Sequence, residues 1–572
     1  MKELAMKDLT ANGLMEKHQA LLDGALQAIV ERRHWSPFSE VPRHYGEAAP
    51  VEGRAAFEAL LGKPFEIDSV PFEGARAGAE VSPYGQALGI TYSRLAADEL
   101  VARASRAADS WMLASTATRT GIALEILVRL NAASFLMAHA VEHTTGQAFP
   151  MAFQAGGPHA QERGLEAVAY AWQELARIPT GSVEWEKPAG RTTIRLEKDF
   201  HIVPRGVGLV IGCATFPTWN SYPALFADLV TGNAVVVKPH PEVILPLALT
   251  VRIGREVLRE QGFDPDILQL AVDTAADPVA QVLARHPAIG LVDFTGSSVF
   301  GGWLRDNVHG KPLFTEETGV NTIVIHSTDA FREMTRNLAF SLSLYSGQMC
   351  TTPQSIFVPR DGIDTDEGHK SFDEVASGIA QAIDDLLSDP ARAAAVAGAI
   401  QNPATLERVA SAQSLGRRSL GRIVRDSAPL TDAPASARTA TPLLLAVDAR
   451  DSAADDAPYA REFFGPVSFI IATDNADEAV GLATATAREQ GGITAALYSR
   501  DEALIARAIP LYARAGVPLS LNLTGGIYVN QSAAFSDFHV TGGNPAGNAC
   551  LTDAAFVAPR FRVVCVRKPA AA

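Results

Sequence analysis

From residue 192 onwards short β-branched runs alternate with turns and helical stretches, whereas the chain before it reads as helix. Near the amino terminus Leu14, Leu21, Leu22, Leu26 and Ile29 recur at helix-like offsets, and a proline-containing loop follows around Trp35-Ser36-Pro37 and Pro42. Residues 96–178 read as long Ala/Leu-rich helices, with Asp98-Glu99 as a start signal and Gly146 at a break. The apolar runs at 192–196, 207–211, 234–237, 268–272, 290–294 and 322–325 then predict strands, most of them separated by helical stretches such as 247–261. A second series runs from Leu338 to about Phe535, with strands at 469–472 and 493–498 and an exposed Ala/Ser/Pro/Asp-rich loop at 426–440. Residues 560–567 have strand character. Strands alternating with helices predict βαβ units and a mainly parallel sheet, an α/β fold.

Composition narrows the function classes. The 572 residues are 47% hydrophobic and 20% charged, which suits a soluble protein of several domains. A net charge of −15 argues against nucleic-acid or anionic-membrane partners, which need a basic footprint. No apolar run approaches the roughly 20 residues that span a bilayer. The start, MKELAMKDLTANGL, lacks the apolar core of a secretory signal. Four scattered cysteines fit a reducing cytoplasm, so a cytoplasmic enzyme is expected.

One of those cysteines carries the strongest chemical signal. Cys350 stands in Leu344-Tyr345-Ser346-Gly347-Gln348-Met349-Cys350-Thr351-Thr352-Pro353-Gln354, among hydroxyl side chains. Its nearest counterparts, Cys213 and Cys550, are too far along the chain for a Cys-X-X-Cys motif. A lone thiol presented this way is a candidate covalent nucleophile.

Two segments point to a nucleotide. Val235-Val236-Val237-Lys238-Pro239 is a buried strand ending in a cation, at the place where α/β sheets bind nucleotides. Asp293-Phe294-Thr295-Gly296-Ser297-Ser298-Val299-Phe300-Gly301 reads as strand, glycine, helix, a turn that lets backbone approach a pyrophosphate at a helix amino end. Two acidic segments add candidates: Thr315-Glu316-Glu317-Thr318-Gly319, a possible source of a general base, and Glu462-Phe463-Phe464-Gly465-Pro466.

Taken together, from about residue 95 onwards, these elements resemble the aldehyde dehydrogenase superfamily in order and spacing. The resemblance implies that Cys350 is the nucleophile, that Lys238 binds the adenosine ribose, and that Gly296, Ser297 and Gly301 form the pyrophosphate turn. It implies that Glu462, with Phe464 beside it, holds the nicotinamide ribose. Glu316, 34 positions before the cysteine, falls at the general base, with Glu317 open as the alternative because Glu316-Glu317-Thr318-Gly319 replaces Glu-Leu-Gly-Gly. The chemistry implied is attack of Cys350 on an aldehyde, hydride transfer to nicotinamide, and hydrolysis of the resulting thioester by water that Glu316 activates. Alternatives are transfer of the acyl group to free coenzyme A, or a non-catalytic nucleotide-binding relative.

Two departures from the family pattern matter. Its Trp-Asn-Phe-Pro segment falls on Ala214-Thr215-Phe216-Pro217, placing Thr215 where an amide donor to the oxyanion is expected, with Asn220 nearby as a substitute. The glutamate that many NAD-using members carry three positions after the lysine is Pro241 here, and His240 stands close by. That substitution points to NADP rather than NAD.

Within the superfamily, 214–220, 316–321 and 341–354 with the long amino-terminal region are most similar to PaaN-type proteins of phenylacetate degradation. That similarity implies a semialdehyde substrate, free or coenzyme A-linked, from aromatic ring cleavage. His139-Ala140-Val141-Glu142-His143 fits a zinc-peptidase pattern, but it lies in an Ala/Leu-rich helix with no third ligand to place. No metal site is expected.

The expected architecture is an aldehyde dehydrogenase-like α/β fold. Residues 1–80 form a helical extension, 81–315 a Rossmann-like NAD(P)-binding domain, and 316–540 an α/β catalytic domain. Residues 541–572, with 190–203, supply a small oligomerisation sheet, and a homodimer or higher homo-oligomer is expected because exposed strand edges demand partners.

Overall fold

Five parallel strands form the sheet on which the predicted nucleotide residues stand. In spatial order they are Leu313–Glu317, Ile289–Gly296, Val207–Ile211, Ala234–Lys238 and Leu268–Leu270. The order steps outward in both directions from Val207–Ile211, the doubly wound arrangement, and the crevice at its reversal point is where such sheets take a nucleotide. This is seen in a computed structural model that describes residues 2–68, 72–317, 319–417, 421–451 and 457–570.

A seven-stranded sheet forms the second layer. Its order is Arg422–Arg425, Leu443–Asp448, Val467–Thr473, Pro353–Pro359, Asn321–Ile325, Ala495–Tyr498 and Leu519–Leu521, parallel except for the first pair. Apart from the edge strands Arg422–Arg425 and Leu519–Leu521, the strands of both sheets are almost wholly buried, which is why they read as continuous apolar runs rather than alternating ones.

Glu316 and Glu317 belong to the edge strand of the first sheet, whereas the sequence placed a division at 315/316. The strand pairs in register with Ile289–Gly296 and is continued on its outer side by Gly547. Residues 544–548 therefore serve the nucleotide sheet, and only Phe561–Pro569 joins Thr192–Pro204 and Val183–Ala189 in the small antiparallel sheet.

The amino-terminal extension is helical only in part. Helix Lys2–Glu31 packs along helix Thr116–Ala132, with a close approach at Gly121, where a Cβ would lie 2.7 Å from the Met15 backbone nitrogen. Glu125 anchors the pair with Lys17 and His18, each 2.7 Å away. After helix Ala49–Glu58 the chain makes a strand, Pro64–Phe65, that pairs with Thr91–Ser93, so the extension is sewn into the domain beyond it. Among the described residues no single helix is long and apolar enough to cross a membrane.

Candidate active site

Cys350 is carried by a strained turn that buried hydrogen bonds hold in place. Helix Phe331–Ser343 ends, and Tyr345, Ser346 and Gly347 come next with φ of 50°, 49° and 65°. Left-handed backbone at a tyrosine and a serine costs free energy, of order 1–3 kcal/mol each, and persists only where neighbours fix it. The Tyr345 hydroxyl donates to the Thr145 carbonyl, and the Ser346 hydroxyl to the carbonyls of Ala397 and Ala440. At Gly347 a Cβ would sit 2.4 Å from the Gly465 carbonyl oxygen, so only glycine fits. Asn321 then donates to the Cys350 carbonyl at 2.7 Å and to that of Thr352 at 2.9 Å.

Three side chains from distant segments meet near the sulfur. His539 Nε2 lies 3.9 Å from Cys350 Sγ and 3.1 Å from Glu316 Oε1. Asn220, in the first turn of helix Pro217–Thr231, donates to Glu316 Oε2 at 2.7 Å. Glu316, His539 and Asn220 are buried and Cys350 is partly so. Burial pushes the Cys350 thiol well above its ordinary range, and the Glu316 carboxylate adds to the shift.

The two adjacent glutamates separate because successive strand residues face opposite sides. Glu316 turns to the cysteine. Glu317 pairs with Arg305 on helix Ser298–Asn307 and occupies the space that a Cβ at Gly301 would need. Thr215 lies on the wall of the cleft that also exposes Cys350, its carbonyl accepting from Gln147 Nε2 at 2.8 Å.

That cleft, of about 660 Å³, gathers most of the sequence-predicted residues: Lys238, His240, Gly296, Ser297, Glu462 and Phe464, with both glutamates. Gly301 lies behind the wall. Lys238 Nζ is 2.7 Å from Asp273 Oδ1 at the mouth of the neighbouring strand. Burial lowers the His240 pKa to about 4, so its ring is neutral near pH 7. Ser297 caps helix Ser298–Asn307, leaving a helix amino end toward the cleft. The Gln401 side-chain oxygen is buried on the wall with no partner among the described residues, an acceptor that a bound donor would satisfy.

A second cavity of about 390 Å³ also reaches Cys350. Phe216, Trp219, Phe340, Met349 and Tyr528 line it, with Glu40 and its hydrogen-bonded partner His159. No lysine or arginine is among its lining residues. Cys350 and Phe216 border both cavities.

Residues 81–544 match the aldehyde dehydrogenase family. The chain belongs to that family. It is 53% identical to an NAD-dependent aldehyde dehydrogenase from Burkholderia multivorans of known crystal structure, covering 98% of this chain and 99% of that one, with a TM-score of 0.93. It is 27% identical over 414 residues to an N-succinylglutamate 5-semialdehyde dehydrogenase of Paraburkholderia xenovorans (strain LB400), covering 71% of this chain and 77% of the relative. The fold is shared with a 1-pyrroline-5-carboxylate dehydrogenase from Thermus with bound NAD, at 17% identity, TM-score 0.72, and coverage of 94% and 99%.

The dehydrogenase is thus an oxidoreductase that uses a nicotinamide dinucleotide. The cleft suits that group, with a cation and a carboxylate at the ends of two adjacent strands, a helix amino end, and an unpaired acceptor on the wall. Sequence reasoning missed His539, Asp273 and Arg305. His539 sits in Asp537-Phe538-His539-Val540, which matches no catalytic pattern, and only the fold brings it to Cys350. His139, Glu142 and His143 place donor atoms within 4.8 Å of one another, but His143 stacks on Phe57, where the extension packs.

Proposed function

We propose that the dehydrogenase oxidises an aldehyde to a carboxylic acid through a thiohemiacetal and then a thioester on Cys350. The observation that carries this reading is Cys350 at the junction of two cavities with Glu316 in the same polar cluster. Nicotinamide, when bound, supplies the hydride acceptor. Cys350 Sγ forms the bond to the carbonyl carbon, and Asn321 steadies the peptide on its carboxyl side. The Cys350 backbone N–H, the Thr215 hydroxyl and the Asn220 amide are the donors near the developing oxyanion. Glu316 takes a proton from the water that hydrolyses the thioester. Glu317, held by Arg305, belongs to the nucleotide wall.

For the nucleotide we favour NAD. Lys238 is paired with Asp273 and His240 is uncharged, so neither offers a 2′-phosphate a free cation. For the substrate we favour an apolar aldehyde. A free carboxylate in the aromatic cavity would meet no lysine or arginine and would share the lining with Glu40, so burying its charge there is costly. A semialdehyde from aromatic ring cleavage, as similarity to PaaN-type proteins of phenylacetate degradation implies, would enter with its far carboxyl masked as a coenzyme A thioester.

The test is a panel of free, carboxylated and coenzyme A-linked aldehydes with NAD and NADP. Apolar and masked substrates are expected to be turned over well and free acids poorly. Cys350→Ala is expected to lose NADH formation while still binding dinucleotide; turnover in that variant overturns the reading.

A further inference from the structure

A buried thiol whose pKa is raised needs a base before it can attack a carbonyl. His539 is a titratable ring beside the nucleophile with no part in the steps assigned to Cys350 and Glu316. His539 Nε2 is 3.9 Å from Cys350 Sγ and 3.1 Å from Glu316 Oε1, so both contacts are made by the same ring nitrogen. The other nitrogen, Nδ1, is 3.4 Å from Ser532 Oγ.

The ring's tautomer is set by Ser532. Its hydroxyl donates to Asp537 Oδ2, and it accepts from Arg163 Nη2 at 2.7 Å. With its one proton spent on Asp537, Ser532 offers His539 only a lone pair, so Nδ1 carries a hydrogen and donates. When the ring is neutral, Nε2 is an acceptor 3.9 Å from the thiol sulfur. It also lies 3.1 Å from a carboxylate oxygen, whose charge favours a proton on Nε2. Moving the thiol proton to Nε2 places an imidazolium between thiolate and carboxylate. The ring is fixed for this task, edge to face against Trp219 with centroids 4.6 Å apart, and Trp219 is covered by the Arg163 guanidinium.

We propose that His539 is the general base for Cys350, a role that rests on Cys350 being the nucleophile. As the C–S bond forms, the S–H bond breaks, its proton passes to Nε2, and the carbonyl π electrons move to oxygen. When the thioester C–S bond later breaks, the same proton returns from Nε2 to the departing thiolate. Glu316 handles only the proton of the hydrolytic water, so each of the two proton transfers has its own group. Besides Cys350 and Glu316, the charged or titratable groups around the ring are Asp537 and Arg163, reached through Ser532 and Trp219, and Cys213 beside Asn220.

The test reads thiol reactivity directly, using iodoacetamide on the full chain without substrate. In His539→Gln and His539→Ala, alkylation of Cys350 near neutral pH is expected to fall at least tenfold. kcat/KM should fall by about 10² or more, the usual size of a general-base contribution. Both should recover as pH rises and hydroxide generates the thiolate, and added imidazole should rescue His539→Ala. Dinucleotide binding, measured by fluorescence, should be unchanged. Ser532→Ala removes the acceptor for Nδ1–H without touching the ring and should lower alkylation several-fold in the same pH range, which keeps the test open if the histidine variants do not fold. An unchanged pH profile of alkylation in a folded His539 or Ser532 variant overturns the proposal. Turnover surviving in Cys350→Ala would instead overturn the nucleophile on which it rests.

Discussion

Lys238 Nζ and Asp273 Oδ1 are 2.7 Å apart at the carboxyl ends of two adjacent strands, and both side chains are buried. A carboxylate thus stands beside Lys238 although Pro241 supplies none in sequence. Asp273→Ala is expected to lower the NAD:NADP ratio of kcat/KM by about tenfold or more, equivalent to about 1.4 kcal/mol, by freeing Lys238 to pair with a 2′-phosphate. Initial rates with each dinucleotide check it; an unchanged ratio would show that the pair does not select.

Glu316 bears on two steps. Its carboxylate raises the Cys350 thiol pKa but also draws the thiol proton onto His539, so Glu316→Gln should not speed alkylation of the thiol near neutral pH. Hydrolysis should suffer. A burst of NADH close to one per active site is expected, and then turnover lowered about 10²–10⁴-fold. Stopped-flow absorbance separates the phases. Full turnover that requires added coenzyme A would identify the acylating chemistry instead.

The amino-terminal extension reaches the same site. Arg32 donates to the Asp537 carbonyl at 3.1 Å and lies over the Phe538 ring at 3.9 Å, while Trp35 packs edge-on against Phe535 at 5.1 Å. These contacts brace the loop that carries His539. Trp35→Ala should therefore lower kcat several-fold and leave dinucleotide affinity alone. Calorimetric titration beside steady-state kinetics distinguishes this from general loss of structure.

Much of the fold and site was legible in the chain because the relevant signals are local. The buried strands announce themselves as β-branched runs, and Cys350, Lys238 and the Gly296 turn each carry their chemistry within a few residues. The features that were not legible depend on contacts across the fold. Asp273 and His539 lie 35 and 189 positions from Lys238 and Cys350, and neither has a local pattern that marks it. Which of Glu316 and Glu317 lies beside the cysteine likewise depends on the face each takes on an edge strand. In the extension, the helical period showed that a helix exists, but not that Pro64–Phe65 pairs with Thr91–Ser93.

The small antiparallel sheet leaves apolar side chains in solvent. Val564 and Val566 are each 51% exposed on one face, and Val563, Trp185 and Ile194 are accessible on the other. Exposed apolar side chains on both faces of an edge sheet mark an interface, so we expect a homo-oligomer built on this sheet. Val564→Glu with Val566→Glu should reduce the mass measured by light scattering; an unchanged mass would place the interface elsewhere.

Arg560 ties the carboxy-terminal segment to the nucleotide sheet. Fully buried, it donates to Asp228 at 2.6 Å and to both oxygens of Asp293 at 2.9 and 2.6 Å, and it packs over the rings of Phe314 and Phe556. Burial raises the Asp228 pKa to about 7 even with Arg560 opposing the shift. Arg560→Met would leave two buried carboxyls without a cation, a change that costs about 3–5 kcal/mol. Both pKa values should then rise further above their unfolded value. A carboxyl whose folded pKa is raised holds its proton more tightly when folded, so its contribution to stability is present below the unfolded pKa and lost as pH rises through the folded one. The variant's deficit should therefore be largest near pH 7 and above and shrink toward pH 4. Urea melts across that range check the prediction, and a deficit that grew on acidification would refute it. Arg560→Lys should recover only part of the loss, because one ammonium cannot match the guanidinium fork on two carboxylates. Asp293 and Phe314 stand on the two strands that position the Gly296 turn and Glu316. Loss of Arg560 should thus weaken dinucleotide binding before the chain unfolds.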